Sequence, residues 1–168
     1  MKGTLLFGFL HKLAVTPEPV EIDYPALLDL PAPHVNAYPC ETVIAEKLQA
    51  LVAFDMAISR MKDFYDLWVI SKQFRFDGTL LSQALEATFE RRGTTIPTGT
   101  PTALTDEFAA DRAKQAQWTA FLKRSALADA PTQLSTIVQE LRKFLLEPLQ
   151  AARKGTVPIL FGTGFAPE

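Results

Sequence analysis

Three charged side chains between residues 38 and 70 lie where packing alone would not require charge. Lys47 falls beside an apolar stripe that includes Ile44 and Leu51, at the spacing of a helix. Asp63 and Asp66 are three residues apart, so they share one face of a second helix. A lysine ammonium can bind an anion such as a phosphate, and a carboxylate can take a proton from a hydroxyl or orient a lysine that faces it.

Each of these residues also has a common structural role, which the pattern alone favours. Lys47 can extend its ammonium from the apolar stripe to solvent. Asp63 and Asp66 can complement the dipole at the start of a helix and pair with Arg60 and Lys62. If the two helices pack antiparallel, Lys47 and Asp63 can instead face one cleft, which the spacing permits.

The elements that would position these residues are helical from Pro39 onward. Asp77 is expected to cap the third helix and Gly93 to end it. Thr105 is expected to cap a short helix, and Asp129-Ala-Pro-Thr to begin the last one, whose end frays at Pro148. The helices are predicted at residues 41–54, 59 or 60 to 72, 79–92, 106–110, 113–125 and 129 to about 148, with a turn-rich loop at 93–104.

The segment before Pro39 has a different character. Apolar runs at 5–10 and 13–15 predict strands, and residues 16–40 carry six prolines that favour extended chain. Apolar and polar residues alternate over Val20–Tyr24, which predicts an edge strand. Residues 26–30 predict a helical turn or an apolar anchor.

The chain is therefore expected to be α+β and predominantly α, with an incomplete N-terminal sheet. We predict a partial β or extended segment at 1–38, a helical domain at 39–152 and a flexible tail at 153–168.

Composition excludes several classes of function. The 168 residues carry a net charge of -2, which gives no overall basic excess for nucleic-acid binding. The basic pairs Arg91-Arg92 and Lys123-Arg124 are typical of solvated helix ends. No apolar run approaches the length of roughly 18 to 20 residues that spans a membrane, so a cytoplasmic location is expected.

Other chemistry is limited by residue type. Cys40 is the single cysteine, which excludes an internal disulfide and a cysteine-based zinc site. His11 and His34 are too far apart in sequence to suggest a metal cluster. Tyr65 and Trp68, one helical turn apart, could stack a nucleobase, although such pairs more often belong to a core. The sequence contains no phosphate-loop, nucleophile-elbow or zinc-peptidase motif.

Two motifs, each with a fixed spacing between its residues, indicate a more specific function. Lys47, Ala50 and Ala53 follow the pattern lysine, two residues, alanine, two residues, small residue. Residues 62–66, Lys-Asp-Phe-Tyr-Asp, place a basic residue before one aspartate and a second aspartate three positions later. In this order they resemble the third and fourth motifs of the AbiEii/AbiGii toxin family of nucleotidyltransferases, with lysine where the family has arginine. The flanks extend the resemblance over roughly residues 15 to 150.

The resemblance implies a polymerase-β-like nucleotidyltransferase fold, of which these helices would be the C-terminal bundle. It implies the toxin half of a toxin–antitoxin or phage-defence system that uses a nucleoside triphosphate (NTP) with Mg²⁺ and transfers nucleotides to an RNA acceptor such as transfer RNA. By carry-over, Asp63 would be a catalytic or orienting carboxylate and Asp66 a supporting one. Lys47 would contact the triphosphate, with Arg60 and Lys62 as further nucleotide-binding residues.

The sequence departs from the family at the other two motifs. The glycine-rich turn and the aspartate–x–aspartate pair that holds Mg²⁺ do not occur, and Asp23 and Asp29 do not form such a pair. We therefore expect the C-terminal part of an AbiEii-like protein, without metal ligands of its own and inactive alone. Its expected partners are an antitoxin, an RNA, and an N-terminal half in another chain, or a second copy through exposed apolar residues at 5–15. The alternative is a non-catalytic helical module that binds an antitoxin or RNA.

Overall fold

The computed structural model describes residues 20–23, 34–37, 39–127 and 129–154. Within them, helices follow two short strands. The strands are β1 (Val20–Asp23) and β2 (His34–Ala37). The helices are α1 (Cys40–Phe54), α2 (Met61–Gln73), α3 (Gly78–Arg91), α4 (Asp106–Ala110), α5 (Arg112–Ser125) and α6 (Leu134–Lys154), with short 3₁₀ turns at Asp55–Ala57 and Thr102–Leu104. The predominantly helical class predicted from the sequence is confirmed.

The two strands pair antiparallel, with Val20 opposite Ala37 and Asp23 opposite His34. The strand predicted from the alternation at Val20–Tyr24 is thus confirmed as β1. The prediction of irregular chain at 34–37 was wrong, because the four residues of β2 become a strand through pairing with β1 rather than through a local pattern.

The apolar stripe of α1 is buried as predicted, with Ile44, Leu48 and Leu51 fully inaccessible to solvent. The helix ends at Asp55, whose backbone has φ 48° and ψ -133°. A non-glycine residue rarely adopts this conformation, and it turns the chain out of the helix. The 3₁₀ turn and residues 58–60 then lead into α2.

Helix α3 begins and ends as its cap residues predicted. The Asp77 carboxylate accepts hydrogen bonds from the backbone N–H groups of Thr79 (2.7 Å) and Leu80 (3.3 Å). Gly93 follows the helix with φ 60°, a left-handed conformation that costs glycine little. The predicted inner face of α3 is buried at Leu81, Ala84, Leu85 and Thr88.

The core lies between α1, α3 and α6, and α2, α4 and α5 close it. Thr105 caps α4 as predicted, and Asp111 caps α5. The loop predicted at 93–104 contains a 3₁₀ turn whose Ala103 and Leu104 are fully buried. The largest fully buried side chains of the described residues are Trp118, Phe64, Phe89, Phe108, Ile44, Leu48, Leu51, Ile58, Leu67, Leu81, Leu85 and Leu104.

Two predictions about the last helix were wrong. It begins at Leu134 rather than Asp129, because the preceding segment packs on α5, where the Trp118 indole N–H donates to the Pro131 carbonyl at 3.1 Å. It does not end at Pro148 but continues to Lys154. Leu149 and Ala152, beyond the proline, are 1% and 4% exposed, and their burial offsets the hydrogen bond that proline cannot donate.

Several predictions concern residues outside the described part: the strands at 5–15, the exposed apolar surface there, the turn at 26–30 and the tail from residue 155. The domain division also stays a prediction, although residues 153 and 154, assigned to the tail, form the end of α6. None of the helices in the described ranges is both long and apolar enough to cross a membrane.

Candidate functional site

The Lys47 side chain extends from α1, beside the buried apolar stripe of that helix, to α2. Its ammonium donates to Asp63 Oδ1 at 2.7 Å and to Asp66 Oδ2 at 2.8 Å. The spacing that places Asp63 and Asp66 on one face of α2 lets both carboxylates contact the same nitrogen atom. The side chains of Lys47, Asp63 and Asp66 are 20%, 15% and 20% exposed. The lysine is therefore a partner of α2 rather than a group extended freely to solvent, and the expectation that Lys47 and Asp63 can face each other is confirmed.

Lys62 joins the arrangement from one turn earlier on α2. Its ammonium donates to Asp66 Oδ1 at 2.8 Å and Oδ2 at 2.6 Å, an i,i+4 pair. The Lys62 side chain is 72% exposed. We refer to Lys47, Lys62, Asp63 and Asp66 as the ion cluster; its formal charges sum to zero at neutral pH.

Two members of the ion cluster, Lys47 and Asp66, have pKa values shifted in the direction that favours their charged forms. Burial lowers the pKa of Lys47, but the hydrogen bonds and negative charges of Asp63 and Asp66 outweigh burial and hold this pKa above the ordinary value of 10.5. Burial raises the pKa of Asp66, but hydrogen bonds and positive charges from Lys47 and Lys62 outweigh it and hold that pKa below 3.8.

The two carboxylates differ in how fully they are engaged. Both oxygens of Asp66 accept hydrogen bonds from ammonium groups. Asp63 accepts through Oδ1, while no described residue donates to its Oδ2. Lys47 has three N–H donors, of which the two aspartates use two. The cluster thus retains one donor at Lys47 and one acceptor at Asp63 for a ligand.

Arg60 lies apart from the ion cluster. Its guanidinium stands 5.2 Å from the centroid of the Phe54 ring, a cation–π contact at the connection between α1 and α2. The expected pairing of Arg60 with the aspartates does not occur in the structure, where its guanidinium lies against the Phe54 ring. Its assignment as a nucleotide-binding residue stays a prediction.

The aromatic pair on α2 supports packing. The Tyr65 and Trp68 rings have centroids 6.0 Å apart, and Tyr65 is equally close to Phe121. The Trp68 indole N–H donates to Glu140 on α6. These contacts favour the structural role of the pair over nucleobase stacking.

Sequence reasoning missed two ionic features near the site. Glu46, adjacent to Lys47, faces α3 and binds both Arg91 and Arg92, the latter at 2.6 Å. The basic pair at the end of α3 was predicted to be solvated. Lys114, on α5, is buried and was not singled out at all. The sequence signal available for Glu46 was its charge beside the motif residue Lys47. That signal could not identify its partners, which are about 45 residues away in sequence.

A family model described as nucleotidyl transferase AbiEii toxin, type IV toxin–antitoxin system, matches residues 7–145. The chain belongs to this family. The matched span contains the whole ion cluster, so the resemblance predicted from the two motifs is confirmed. No curated protein and no solved structure matches the chain.

The family's chemistry raises the question of whether this site fits Mg²⁺. Magnesium takes an octahedral shell of oxygen ligands. In the described ranges, no group of three or more His, Cys, Asp or Glu side chains could hold a metal ion. Both oxygens of Asp66 already bind ammonium groups, and the charges of Lys47 and Lys62 would repel a cation. The ion cluster therefore does not fit Mg²⁺.

Proposed function

We propose that this chain works as the helical part of a polymerase-β-like nucleotidyltransferase toxin in the cytoplasm, which transfers a nucleotide from an NTP to an RNA acceptor. The observation that carries the proposal is the Lys47 ammonium held between Asp63 and Asp66 at 2.7 and 2.8 Å. Family membership supports the class of reaction. An antitoxin is the proposed counterpart in the cell.

Lys47 would contact the triphosphate. The two aspartates fix the direction of its ammonium, so little side-chain entropy is lost when the third N–H meets a phosphate oxygen. Lys62 is 72% exposed and adds a second cation within reach of the same anion. A phosphate approaching this side of α2 meets two lysines while their aspartates keep them in place.

Asp63 would act on the acceptor hydroxyl. Its Oδ2, to which no described residue donates, can accept the hydroxyl proton as the hydroxyl oxygen attacks the α-phosphorus and pyrophosphate leaves. Asp66, saturated by Lys47 and Lys62, would hold the two ammonium groups. Asp63 is thus the proposed catalytic carboxylate and Asp66 the supporting one.

The metal ligands are proposed to come from elsewhere. Nucleotidyl transfer depends on cations that neutralise developing charge, and the ion cluster does not supply their ligands. We propose that a segment with a glycine-rich turn and an aspartate pair, carried by a second chain, completes the site. On this proposal the chain binds NTP alone and transfers nucleotides only in the completed assembly.

Two measurements on the full chain test the proposal. First, NTP binding is measured by calorimetry for wild type, Lys47→Met and the control Lys72→Met, which removes a lysine of α2 that pairs with Glu140 instead. Loss of one charge-assisted contact of about 1.5–3 kcal/mol predicts about a ten- to hundredfold weaker affinity for Lys47→Met. Equal affinities for the two variants would contradict the role of Lys47.

Second, transfer of labelled nucleotide to RNA is measured with Mg²⁺, with and without candidate partner chains that carry the missing motifs. Transfer in a mixture, abolished by Asp63→Asn, is expected. No transfer with any partner would contradict the enzymatic proposal.

The alternative function is a non-catalytic helical module that binds an antitoxin or RNA. It is favoured by one observation, the poor fit of the described carboxylates to a metal ion. A tight complex with the antitoxin or RNA that Lys47→Met and Asp63→Asn leave unchanged, together with absent transfer, would support this alternative.

A further inference from the structure

A buried lysine outside the ion cluster has an unusual environment. Lys114, in the first turn of α5, is 6% exposed, and its ammonium donates to the backbone carbonyl of Ile58 at 2.6 Å. The same ammonium lies 5.4 Å from the centroid of the Phe108 ring. No described carboxylate forms a salt bridge with it. Burying an ammonium without an opposite charge is costly, so a lysine at this position calls for a role that an apolar residue would not fill.

The carbonyl that Lys114 binds belongs to the connection between the two helices of the ion cluster. Ile58 is 1% exposed and lies between the 3₁₀ turn and α2. Its N–H donates to Asp55, the residue with positive φ. Asp63 follows Ile58 by five residues, and its own N–H donates to the Arg60 carbonyl at 2.9 Å. A shift of the Ile58 peptide would therefore move the start of α2 and Asp63 with it.

A second route leads from Lys114 to the same place. The Phe108 ring beneath the ammonium stacks on Phe64, with centroids 5.4 Å apart and an interplanar angle of 19°. Phe64 is the neighbour of Asp63 and is fully buried. Lys114 thus contacts the chain on the N-terminal side of Asp63 directly and the side chain after Asp63 through one ring.

We propose that Lys114 is a positioning residue for the ion cluster, whose ammonium fixes the Ile58 carbonyl and so sets the start of α2 against Lys47. This inference rests on the proposed function of Lys47, Asp63 and Asp66, but its geometry does not depend on it. Lys114 takes no part in contacting nucleotide or RNA. It acts through the α1–α2 connection alone.

The test measures the ion cluster in the free protein, so it needs neither nucleotide nor activity. Carboxyl and ammonium NMR titrations report the pKa values of Asp66 and Lys47 in wild type and in Lys114→Met, which keeps the apolar volume and removes the charge. With the connection released, the pKa of Asp66 is expected to rise and that of Lys47 to fall, each toward its unpaired value. Lys114→Arg, which retains a donor for the carbonyl, is expected to restore the wild-type values.

Arg142→Met is the matched control. It removes a cation that binds Asp106 on α4 and leaves the contacts of Lys114 with Ile58 and Phe108 in place. Its loss of stability is expected to leave both pKa values unchanged, which separates positioning from general destabilisation. Failure of the proposed function would appear in the nucleotide-binding and transfer assays and leave this titration result standing.

Three results would overturn the proposal. The first is that the Lys114→Met variant folds and that Lys47 and Asp66 keep their wild-type pKa values in it. If that variant does not fold, Lys114→Leu, which likewise has no donor for the Ile58 carbonyl, is titrated instead, and wild-type pKa values in that variant are the second. The third is failure of both variants to fold even in trimethylamine N-oxide, which stabilises compact states, since Lys114 would then be a general requirement for folding.

Discussion

Replacing Lys47 with methionine removes the ammonium between Asp63 and Asp66 and keeps an aliphatic side chain of similar length. The two carboxylate oxygens lie 2.7 and 2.8 Å from the same nitrogen, so they are close neighbours once it is gone. Two like charges about 5 Å apart repel by about 3 kcal/mol at an effective dielectric constant of about 20, and by less than about 1 kcal/mol in bulk water. The variant should therefore unfold more easily.

The magnitude depends on exposure and on the remaining lysine. The Asp63 and Asp66 side chains are 15% and 20% exposed, which places them between the two dielectric limits. Lys62 still neutralises part of the Asp66 charge. We expect Lys47→Met to reduce the free energy of unfolding by about 2 kcal/mol at neutral pH. The control Lys72→Met breaks a more exposed pair with Glu140 and should cost at most about 1 kcal/mol.

Urea unfolding followed by circular dichroism measures both variants. The difference between wild type and Lys47→Met should shrink as the pH is lowered below 3.8, the ordinary pKa of Asp66, because protonation of Asp66 removes both its attraction to Lys47 in wild type and its repulsion from Asp63 in the variant. Equal losses for the two variants, or a loss at Lys47 that does not change with pH, would refute the argument that charge rather than packing makes Lys47 important.

Three further predictions concern stability. The pairing of Asp66 stabilises the fold above pH 3.8, the ordinary pKa of this residue, and the stabilisation is lost as the pH falls through the lower pKa of Asp66 in the folded protein. The pairing of Lys47 contributes fully below pH 10.5, and its stabilisation is lost as the pH rises through the higher pKa of Lys47 in the folded protein. Thermal melts should show a plateau between these limits, and a maximum outside it would count against the pairing. Asp77→Ala should lower the free energy of unfolding, measured in urea, by about 1 kcal/mol, and Asp77→Ser should lower it much less. Equal values for the two variants would show that the cap is unimportant. Phe64→Ala should cost about 3–5 kcal/mol, and a loss below about 1 kcal/mol would show that its site is not a packed core.

Features determined by neighbouring residues could be predicted from the sequence. Asp77 and Thr105 cap helices because a short oxygen-bearing side chain meets N–H groups two or three residues on. The buried stripe of α1 follows from helical spacing alone. The lysine and aspartate motifs were found in the same way, as residue types at fixed short intervals.

Features determined by distant partners could not be predicted. The position of the Lys47 ammonium depends on how α1 and α2 pack, which the spacing permitted without requiring. Arg91 and Arg92 were expected in solvent, but Glu46 meets them from another helix. Strand β2 has no strong pattern of its own and exists through its pairing with β1. The burial of Lys114 depends on two segments distant from its own helix, since its ammonium contacts the Ile58 carbonyl and the Phe108 ring.

The ion cluster is also the most local tertiary contact among these ionic pairs, and this bears on the order of folding. Lys47 is 16 and 19 residues from its aspartates, whereas Trp68 is 72 residues from Glu140. Closing the longer loop costs about 1.3 kcal/mol more in chain entropy. The contact between α1 and α2 should therefore form early in folding, before α6 packs against them. Lys47→Met should then mainly slow folding, and Glu140→Gln should mainly speed unfolding. Stopped-flow kinetics with the opposite assignment would show that the bundle assembles around α6 instead.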